Sequence, residues 1–417
     1  MTRPDVVIVG AGLAGLACGK RLTDCGTSFQ IVEAADAVGG RCRTDVVDGY
    51  RLDRGFPFYL TASPEGRRVL DYEALELKPY ARKALVRFAH LCHPTPSIKK
   101  FGWFTTFLHA FSRWGSLNDK FRTSQLISRV ARDSFESIDT RDDRPAIDLL
   151  RHAGLGPKII DRYFRPFLSS FLLERDLSTS SRYLRFVLKG MLEGEMGVPA
   201  RGMQAIPDQV HAKLPVGSVC LNSPVERLEP GTVVLKSDER IEARAVVVAT
   251  DGVEASRLLE GAITAIEYRG LTKLYYEIEI SNSGSSILFT NGENSGPINH
   301  LSLQRIKDRP GGMLAAANVL GIPDEADKTL IAAVRNQLNN WLEPHVKDIN
   351  LLRIYRIPNA LPDMSVGKLD PWRRPVRIRP GLYVCGDHRD QGGINGALES
   401  GFRAAQAVME DLAEKRT

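Results

Sequence analysis

The chain begins with a short apolar run, a glycine-rich turn and a helical pattern. Val6 to Val9 is a continuous run of β-branched residues, typical of a strand buried on both faces of a parallel sheet. Leucine and alanine then recur at helical spacing from Leu13 to Cys25, and Gly26 is a natural helix end. A second apolar run, Phe29 to Val32, follows. Together these elements predict a β-α-β unit with a right-handed crossover.

The rest of the chain changes pattern several times. From Phe101 to Phe135 aromatic residues mix with arginine and lysine at helical spacing, so residues 86–198 are predicted to form a helical insertion. Residues 225–252 predict a hairpin followed by an apolar strand, Ala245 to Ala249. Residues 313–345 are predicted to be largely helical, with interruptions. The C-terminal segment after Pro380 predicts a strand, a polar glycine-rich loop and a long amphipathic helix.

Three glycines follow the first strand at the spacing G-x-G-x-x-G. Gly10 permits a tight turn, Gly12 a close approach of the backbone to a pyrophosphate, and Gly15 close packing of helix on strand. The helix start at Leu13 and Ala14 directs free N–H groups and the positive end of the helix dipole at the phosphates. This pattern predicts a dinucleotide-binding site.

An acidic residue in the expected place strengthens this prediction. Glu33 ends the second predicted strand, eighteen residues after Gly15, where its carboxylate can accept hydrogen bonds from a pair of ribose hydroxyls. A turn that was merely tight would not require this acid. NAD and FAD both fit the pattern, whereas NADP fits less well because an acidic residue repels a ribose phosphate.

A glycine pair that ends in Gly40, followed by Arg41, comes soon after Glu33. A guanidinium in this place can neutralise a pyrophosphate or support the chain around it. The arrangement resembles the FAD-binding segment of the flavin-containing amine oxidase superfamily, which includes phytoene desaturases and protoporphyrinogen oxidases. A D-x-G step follows in that superfamily, and Asp53 to Gly55 supplies it here. The resemblance implies that Phe56 and Pro57 lie near the flavin ring.

The C-terminal segment carries a second part of the same resemblance. Gly386 and Asp387 follow a predicted strand, and the superfamily uses the acid to meet the ribityl or pyrophosphate part of FAD. The helix that begins near Ile394 and Asn395 is expected to direct its N-terminus at the N1/C2=O edge of the flavin. Two motifs more than 300 residues apart therefore indicate the same cofactor.

Residues 199–214 resemble the approach to the middle nucleotide-binding segment of the superfamily, and Val225 stands where a backbone amide and carbonyl bind adenine. The alternative for this region is an ordinary helix and strand edge. The predicted cofactor-binding residues are Gly10, Gly12, Leu13, Ala14, Gly15, Glu33, Ala34, Gly40, Arg41, Phe56, Pro57, Val225, Gly386, Asp387, Ile394, Asn395 and Ala397.

The resemblance implies an α/β fold with two domains. A discontinuous Rossmann-like FAD-binding domain is expected to combine residues 1–85, 199–260 and 351–417. An α+β substrate domain would comprise residues 86–198, mainly helical, and residues 261–350.

One residue is a candidate for a catalytic role. Lys273 stands where amine oxidases of the superfamily carry a lysine that holds a water near flavin N5. The following residues, Tyr275 to Ile280, alternate like a half-exposed strand. Since a lysine at the start of such a strand is more often a solvated charge, a surface lysine is the alternative interpretation of Lys273.

The expected activity is that of an FAD-dependent oxidoreductase, since hydride transfer from a substrate to flavin N5 requires no protein nucleophile. Amine oxidases of the superfamily commonly carry an aromatic cage residue where this chain has Gly393. The favoured hypothesis is therefore a desaturase or oxidase reaction on a bulky apolar molecule. An amine oxidase that releases an imine and hydrogen peroxide, and a non-catalytic flavin-binding protein, are the alternatives. The aromatic-rich stretch from Phe101 to Trp114 is compatible with an apolar tunnel, a peripheral membrane contact or a plain helical core.

Composition narrows the partners and the compartment. The net charge of +6 comes from 56 basic and 50 acidic residues scattered along the chain, so no nucleic-acid partner is expected. The six cysteines are widely spaced, and His90, His93 and His388 are too scattered for a metal site. The pattern contains neither a signal peptide nor a membrane span. These features predict a cytoplasmic enzyme without a metal that acts on a small molecule, and they leave its oligomeric state open.

Overall fold

A computed structural model describes residues 3–81, 83–95, 115–280, 286–306, 311–368 and 370–414. The strands, in chain order, are β1 (Val6–Val9), β2 (Phe29–Val32), β3 (Thr44–Val47), β4 (Tyr50–Asp53), β5 (Tyr59–Leu60), β6 (Lys78–Pro79), β7 (Lys83–Phe88), β8 (Leu91–Pro94), β9 (Met196–Val198), β10 (Val219–Cys220), β11 (Val225–Glu229), β12 (Thr232–Leu235), β13 (Arg240–Glu242), β14 (Ala245–Val248), β15 (Tyr268–Ile280), β16 (Ile287–Asn291), β17 (Ile298–Arg305), β18 (Gly312–Leu320), β19 (Val346–Pro362), β20 (Arg377–Arg379) and β21 (Leu382–Val384). The helices are α1 (Leu13–Asp24), α2 (Pro64–Val69), α3 (Leu117–Arg132), α4 (Ala146–His152), α5 (Pro157–Ile159), α6 (Arg165–Leu172), α7 (Ser181–Glu193), α8 (Ala205–His211), α9 (Gly252–Leu258), α10 (Asp327–Leu342) and α11 (Ile394–Glu414), with a π-turn at Ile160–Phe164 and a 3₁₀ turn at Asp387–Arg389.

One sheet has six strands in the order β10-β2-β1-β14-β21-β20. All of its pairs are parallel except β20 with β21, so the predicted β-α-β unit is confirmed. The residues of β1 and β14 are buried throughout, because helices and other strands cover both faces of the sheet. Helices α1 and α11 pack closely against each other, since a Cβ on Gly401 would lie 2.2 Å from the carbonyl oxygen of Ala14.

A second sheet has seven strands in the order β19-β15-β18-β17-β16-β7-β8 and is antiparallel except for the β7–β16 pair. Apolar residues on one face pack with α10 into a core that includes Leu274, Tyr276 and Leu338. The other face lies toward the β3–β4 hairpin, where Leu52 packs on Tyr275. The strands of this sheet come from residues 83–94 and 268–362, so β19 runs across the boundary predicted at residue 351. The proposed division into domains stays a prediction.

The prediction that residues 313–345 are largely helical is wrong in its first part. Residues 313–320 belong to β18, and the helix of this region, α10, begins at Asp327. Alanine, methionine and leucine favour a helix on intrinsic propensity. Strand β18, however, pairs with both β15 and β17 in the middle of the sheet, and tertiary pairing overrides local preference there.

The helical insertion predicted for residues 86–198 is present between residues 115 and 193, which contain α3 to α7. It is wrong at its two ends, because residues 86–88 and 91–94 belong to β7 and β8 and residues 196–198 form β9. The aromatic stretch from Phe101 to Trp114 lies outside the described residues. Within the described ranges, none of the helices combines the length and the apolar character that a membrane crossing requires.

Candidate functional site

A cavity of about 500 Å³ opens at the carboxyl ends of the central strands of the six-stranded sheet. Val9 and Val32, the last residues of β1 and β2, contribute to its lining together with Ala249, which directly follows β14. Ligands of open α/β sheets bind at this position. The cavity continues toward the seven-stranded sheet, where Leu271 and Ile357 line it. It therefore has one end at the glycine-rich turn and another between the two sheets.

The three glycines of the turn differ in what surrounds them. A Cβ on Gly15 would lie 2.0 Å from the carbonyl oxygen of Gly10, so helix α1 can approach β1 only with glycine there. Gly10 has φ +106°, a backbone conformation that favours glycine. A Cβ on Gly12, in contrast, would meet no protein atom within 4 Å, although Gly12 lines the cavity. The open space at Gly12 is therefore a cradle in front of the first turn of α1, and it fits a phosphate group.

Glu33 is held at the end of β2 by two backbone amides. Its Oε2 accepts a hydrogen bond from the Ala11 N–H at 2.6 Å, and its Oε1 accepts one from the Ala35 N–H at 2.9 Å. Each carboxylate oxygen keeps a free lone pair, and the side chain lines the cavity. Glu33 can therefore still accept hydrogen bonds from ribose hydroxyls.

Arg41 connects the N-terminal and C-terminal motifs. Its Nη2 donates to Oδ1 of Asp387 at 2.5 Å, and its Nη1 donates to the carbonyl oxygen of Ala360 at 3.1 Å. Burial opposes the charge of the guanidinium, but the neighbouring Asp387 carboxylate outweighs burial and raises the pKa of Arg41. Of the two roles considered for Arg41, this geometry favours support of the chain, because both of its contacts are with other parts of the protein. The ion pair holds both motifs at one wall of the cavity.

The C-terminal glycine loop is held by several hydrogen bonds. The Gly386 N–H donates to the Ser400 hydroxyl at 2.9 Å, and the Gly393 N–H donates to Oδ2 of Asp387 at 3.2 Å. Helix α11 then begins at Ile394, as predicted. Oδ1 of Asn395 accepts a hydrogen bond from the Ser63 hydroxyl at 2.7 Å, a partner that the sequence did not indicate. The N-terminus of α11 thus points its free N–H groups at the cavity.

The structure brings most of the predicted cofactor residues to this one cavity. Those that line it are Gly10, Gly12, Leu13, Ala14, Glu33, Ala34, Gly40, Arg41, Phe56, Val225, Gly386, Asp387, Ile394, Asn395 and Ala397. Gly15 lies behind the wall, against β1. Pro57 faces a separate small cavity beside Tyr275. The carbonyl of Val225 accepts a hydrogen bond from Arg257 at 3.2 Å and keeps one lone pair.

Lys273 lies inside the protein and not at its surface. It occupies the middle of β15 and is fully buried, so the interpretation as a solvated charge is wrong. Its Nζ donates to the carbonyl oxygens of Asp53 and Gly55, each at 3.0 Å. Burial lowers the pKa of Lys273 to about 8, while the Asp53 carboxylate opposes this shift. The lysine does not line the main cavity, but it grips the backbone directly before Phe56, which does.

The second end of the cavity is built from aromatic residues, and the sequence analysis named only one of them, Phe56, as a site residue. The rings of Phe56 and Phe58 lie 4.4 Å apart between centroids, and those of Phe58 and Phe171 lie 5.2 Å apart. Phe135 and Phe186 form a further pair at 5.3 Å. All five side chains line the cavity. Phe56 and Phe58 are neighbours in sequence, but the other two pairs join segments at least 50 residues apart, which no local pattern could reveal.

Helix α7 provides one wall of this aromatic end. Its residues Tyr183, Phe186, Val187 and Gly190 line the cavity at positions i, i+3, i+4 and i+7. The Tyr183 hydroxyl donates to the carbonyl oxygen of Gly392 at 3.1 Å and thereby connects α7 with the C-terminal glycine loop. In the sequence, only the helical spacing of these four residues indicated that they share a face, and the same spacing is typical of a helix packed into a core.

The charge of the cavity is confined to one end. Among the described residues, the charged side chains in its lining are Glu33, Arg41, Asp251, Glu254 and Asp387, and all of them lie near the glycine turn, β11 or the C-terminal loop. The aromatic end is lined by apolar side chains and by tyrosines. No group of three or more metal-ligating side chains occurs in the described part of the chain.

Comparisons with known proteins show what the chain is similar to. Residues 13–409 match the family of flavin-containing amine oxidoreductases. The 15-cis-phytoene desaturase, chloroplastic/chromoplastic, of Capsicum annuum is 23% identical over 98% of this chain and 78% of its own. A proposed protoporphyrinogen oxidase from Exiguobacterium sp. 255-15 has the same fold, with a TM-score of 0.74, 19% identity and coverage of 99% of this chain and 100% of that chain. Putrescine oxidase bound to putrescine gives a TM-score of 0.69 at 18% identity, with coverage of 98% and 99%.

Proposed function

The chain belongs to the flavin-containing amine oxidoreductase family and is an FAD-dependent oxidoreductase, and we propose that its substrate is a bulky apolar molecule. When bound, the flavin supplies the acceptor for a hydride removed from the substrate. The chain itself has to hold the substrate in place and exclude water. The aromatic end of the cavity, uncharged over its described lining, is the observation that carries the proposal.

We propose that the cofactor lies along the polar end of the cavity. The cradle at Gly12 and the first turn of α1 would hold the pyrophosphate. Glu33 would accept hydrogen bonds from the ribose, and the backbone of Val225 would meet the adenine. The start of α11 at Ile394 would stabilise negative charge on the ring system. Phe56 would then lie where the ring system meets the aromatic end.

The backbone at Gly393 supports a bulky substrate. Gly393 has φ +102°, a conformation that a residue with a side chain rarely adopts. An aromatic cage residue would therefore be strained at this position. A Cβ there would meet nothing within 4 Å, so the space that such a residue would occupy is open. This combination favours a wide apolar substrate over a small amine.

Amine oxidation is the second candidate, and the family name and the shared fold with putrescine oxidase favour it. A protonated amine that enters an apolar pocket loses its hydration, which a carboxylate replaces well and aromatic faces replace only in part. The aromatic end has the faces of Tyr183 and Phe186 but no carboxylate in its described lining. We therefore place amine oxidation second.

Free thiols support a cytoplasmic location, which we also propose. Each of the six cysteines is free, and none forms a disulfide. Thiols persist in reducing compartments, whereas disulfides predominate in oxidising ones.

The proposal predicts that Gly190→Leu will select against long substrates. Gly190 lies inside α7, and a Cβ there would lie 3.2 Å from Cδ1 of Leu60, which also lines the cavity. A leucine side chain would reduce the width of the aromatic end at this point. We expect kcat/KM for a long acyclic polyene to fall at least about tenfold, equivalent to roughly 1.4 kcal/mol of lost transition-state stabilisation. Steady-state kinetics with substrates of graded length would measure it.

Gly190→Ala is the matched control, because it adds the helix propensity of a side chain with only one methyl group. It should retain most of the activity toward long substrates. Equal effects of Gly190→Leu on long and short substrates would contradict this placement of the substrate. A wild-type protein that oxidises amines faster than long polyenes would favour the second candidate.

A further inference from the structure

Glu254 is a charged side chain of the cavity to which the proposed function gives no role. It lies in the first turn of α9, is half-buried, and lines the same end of the cavity as Val225. Asp251, at this end too, is the N-cap of α9, because its Oδ1 accepts hydrogen bonds from the backbone N–H groups of Val253 and Glu254. The carboxylate of Glu254 is held instead by an arginine.

Arg257 binds the Glu254 carboxylate through two hydrogen bonds. Its Nε donates to Oε2 at 2.9 Å, and its Nη2 donates to Oε1 at 2.6 Å. A bidentate pair of this kind fixes the orientation of both groups. Each carboxylate oxygen has a second lone pair, so Glu254 can still accept hydrogen bonds from a ligand.

The same guanidinium is fixed to the backbone of β11. Its Nη1 donates to the carbonyl oxygen of Glu226 at 2.8 Å, and its Nη2 donates to that of Val225 at 3.2 Å. Nη2 therefore contacts both the Val225 carbonyl oxygen and Oε1 of Glu254. Two acceptors thus lie side by side at one end of the cavity. An ordinary salt bridge between residues three apart on an exposed helix face has no such second contact.

Two neighbouring acceptors are complementary to an exocyclic amino group. The N6 amino group of adenine has two N–H donors, whereas guanine and hypoxanthine carry a carbonyl oxygen at that position. An oxygen there would face the Val225 carbonyl and the Glu254 carboxylate, and neither of them can donate a hydrogen bond to it. A site built in this way distinguishes bases by what stands at position 6.

We propose that Glu254 accepts a hydrogen bond from the adenine amino group of the cofactor and makes the site selective for adenine, with Arg257 as its positioning residue. The inference rests on the proposed placement of FAD, in which the backbone of Val225 meets the adenine. One N–H of the amino group is then bound by the Val225 carbonyl and the other by Glu254. Arg257 holds the two acceptors in register, since it contacts both.

The deaminated analogue of FAD, flavin hypoxanthine dinucleotide, provides the test, because it differs from FAD only in the purine. The apoprotein is titrated with each dinucleotide, and the change in flavin fluorescence gives both dissociation constants. We expect wild-type protein to bind FAD at least about 30-fold more tightly than the analogue, within the range of a two-point base contact. Glu254→Gln should reduce this preference at least about tenfold, because its amide N–H can donate to the hypoxanthine oxygen. Val225 is present in both proteins, so the change reports Glu254.

Glu226→Gln is the matched control. It removes the same charge from a nearby residue of β11 whose side chain is exposed and is absent from the described lining of the cavity. It should keep the wild-type preference. Arg257→Gln leaves the charge of Glu254 but releases its carboxylate, and it should reduce the preference by about threefold, since water then competes for the freed group.

An unchanged preference in Glu254→Gln would overturn the proposal, and so would equal affinities of wild-type protein for the two dinucleotides. An equal loss in Glu226→Gln would show a general effect of charge and would also overturn it. The ratio of affinities does not depend on turnover. Normal FAD affinity in Gly12→Val would contradict the placement of the pyrophosphate, whereas equal affinities for FAD and its analogue contradict the assignment of Glu254 alone.

Discussion

Gly12→Val is expected to give a folded protein that does not retain FAD. Gly12 has φ −70° and ψ 175°, which valine readily adopts, and a Cβ there would meet no protein atom within 4 Å. The only space that the side chain fills is the cradle proposed for the pyrophosphate. We expect the dissociation constant of FAD to rise at least about 100-fold, roughly 3 kcal/mol, from the loss of two hydrogen bonds to charged oxygens. Cofactor content after gel filtration and calorimetric titration of the apoprotein would measure it.

Measuring the unfolding free energy of the Gly12→Val apoprotein shows whether lost FAD binding comes from the binding site itself or from a destabilised fold. This free energy should fall by no more than about 1 kcal/mol, the scale of a helix N-cap effect. Gly15→Ala is the contrasting variant, since its Cβ would lie 2.0 Å from the Gly10 carbonyl oxygen and should destabilise the fold itself. Normal FAD affinity in Gly12→Val would remove the pyrophosphate from this cradle.

Lys273→Met is expected to retain FAD but to slow reoxidation of the flavin by oxygen by about 100-fold, a typical cost of losing one preorganised charge or donor. The buried ammonium provides positive charge beside the segment that carries Phe56. Since burial lowers its pKa to about 8, the charge is present below that pH and is lost above it. The wild-type rate should therefore decline as the pH rises through about 8, and the variant should lack this dependence. Stopped-flow absorbance would record both.

Tyr275→Phe is the matched control for this substitution. The Tyr275 hydroxyl donates to the Asp53 carbonyl at 2.9 Å, so the variant removes a neighbouring hydrogen bond without removing the charge. It should reoxidise at close to the wild-type rate. A wild-type rate and pH profile in Lys273→Met would take the lysine out of the reaction with oxygen.

The parts of the fold that the sequence predicted depend on local patterns. The β1-α1-β2 unit, the position of Glu33 and the start of α11 at Ile394 each follow from spacing, turn glycines and helix signals within a few residues. Gly12 also agrees with the sequence prediction. The motif assigns it to a close approach of the backbone to a pyrophosphate, and a Cβ there would meet no protein atom within 4 Å.

The failures have the opposite origin, because they depend on contacts between distant segments. Strand β18 has helix-forming residues, and its conformation is set by β15 and β17 on either side. The burial of Lys273 depends on the same neighbours. The aromatic end is assembled from Phe58, Phe171 and other rings that only the folded chain brings together. The positive φ of Gly393 could not be predicted from the sequence either, because glycine adopts either sign of φ.

The central claim is that the aromatic end of the cavity accepts a bulky apolar substrate for oxidation. The most direct test is to mix the FAD-loaded protein, without oxygen, with either a long acyclic polyene or a primary diamine and to follow the visible absorbance of the flavin. We predict that the polyene bleaches the flavin and that the diamine leaves it unchanged. Bleaching by the diamine alone would contradict the claim in favour of an amine oxidase, and bleaching by neither would contradict it as well.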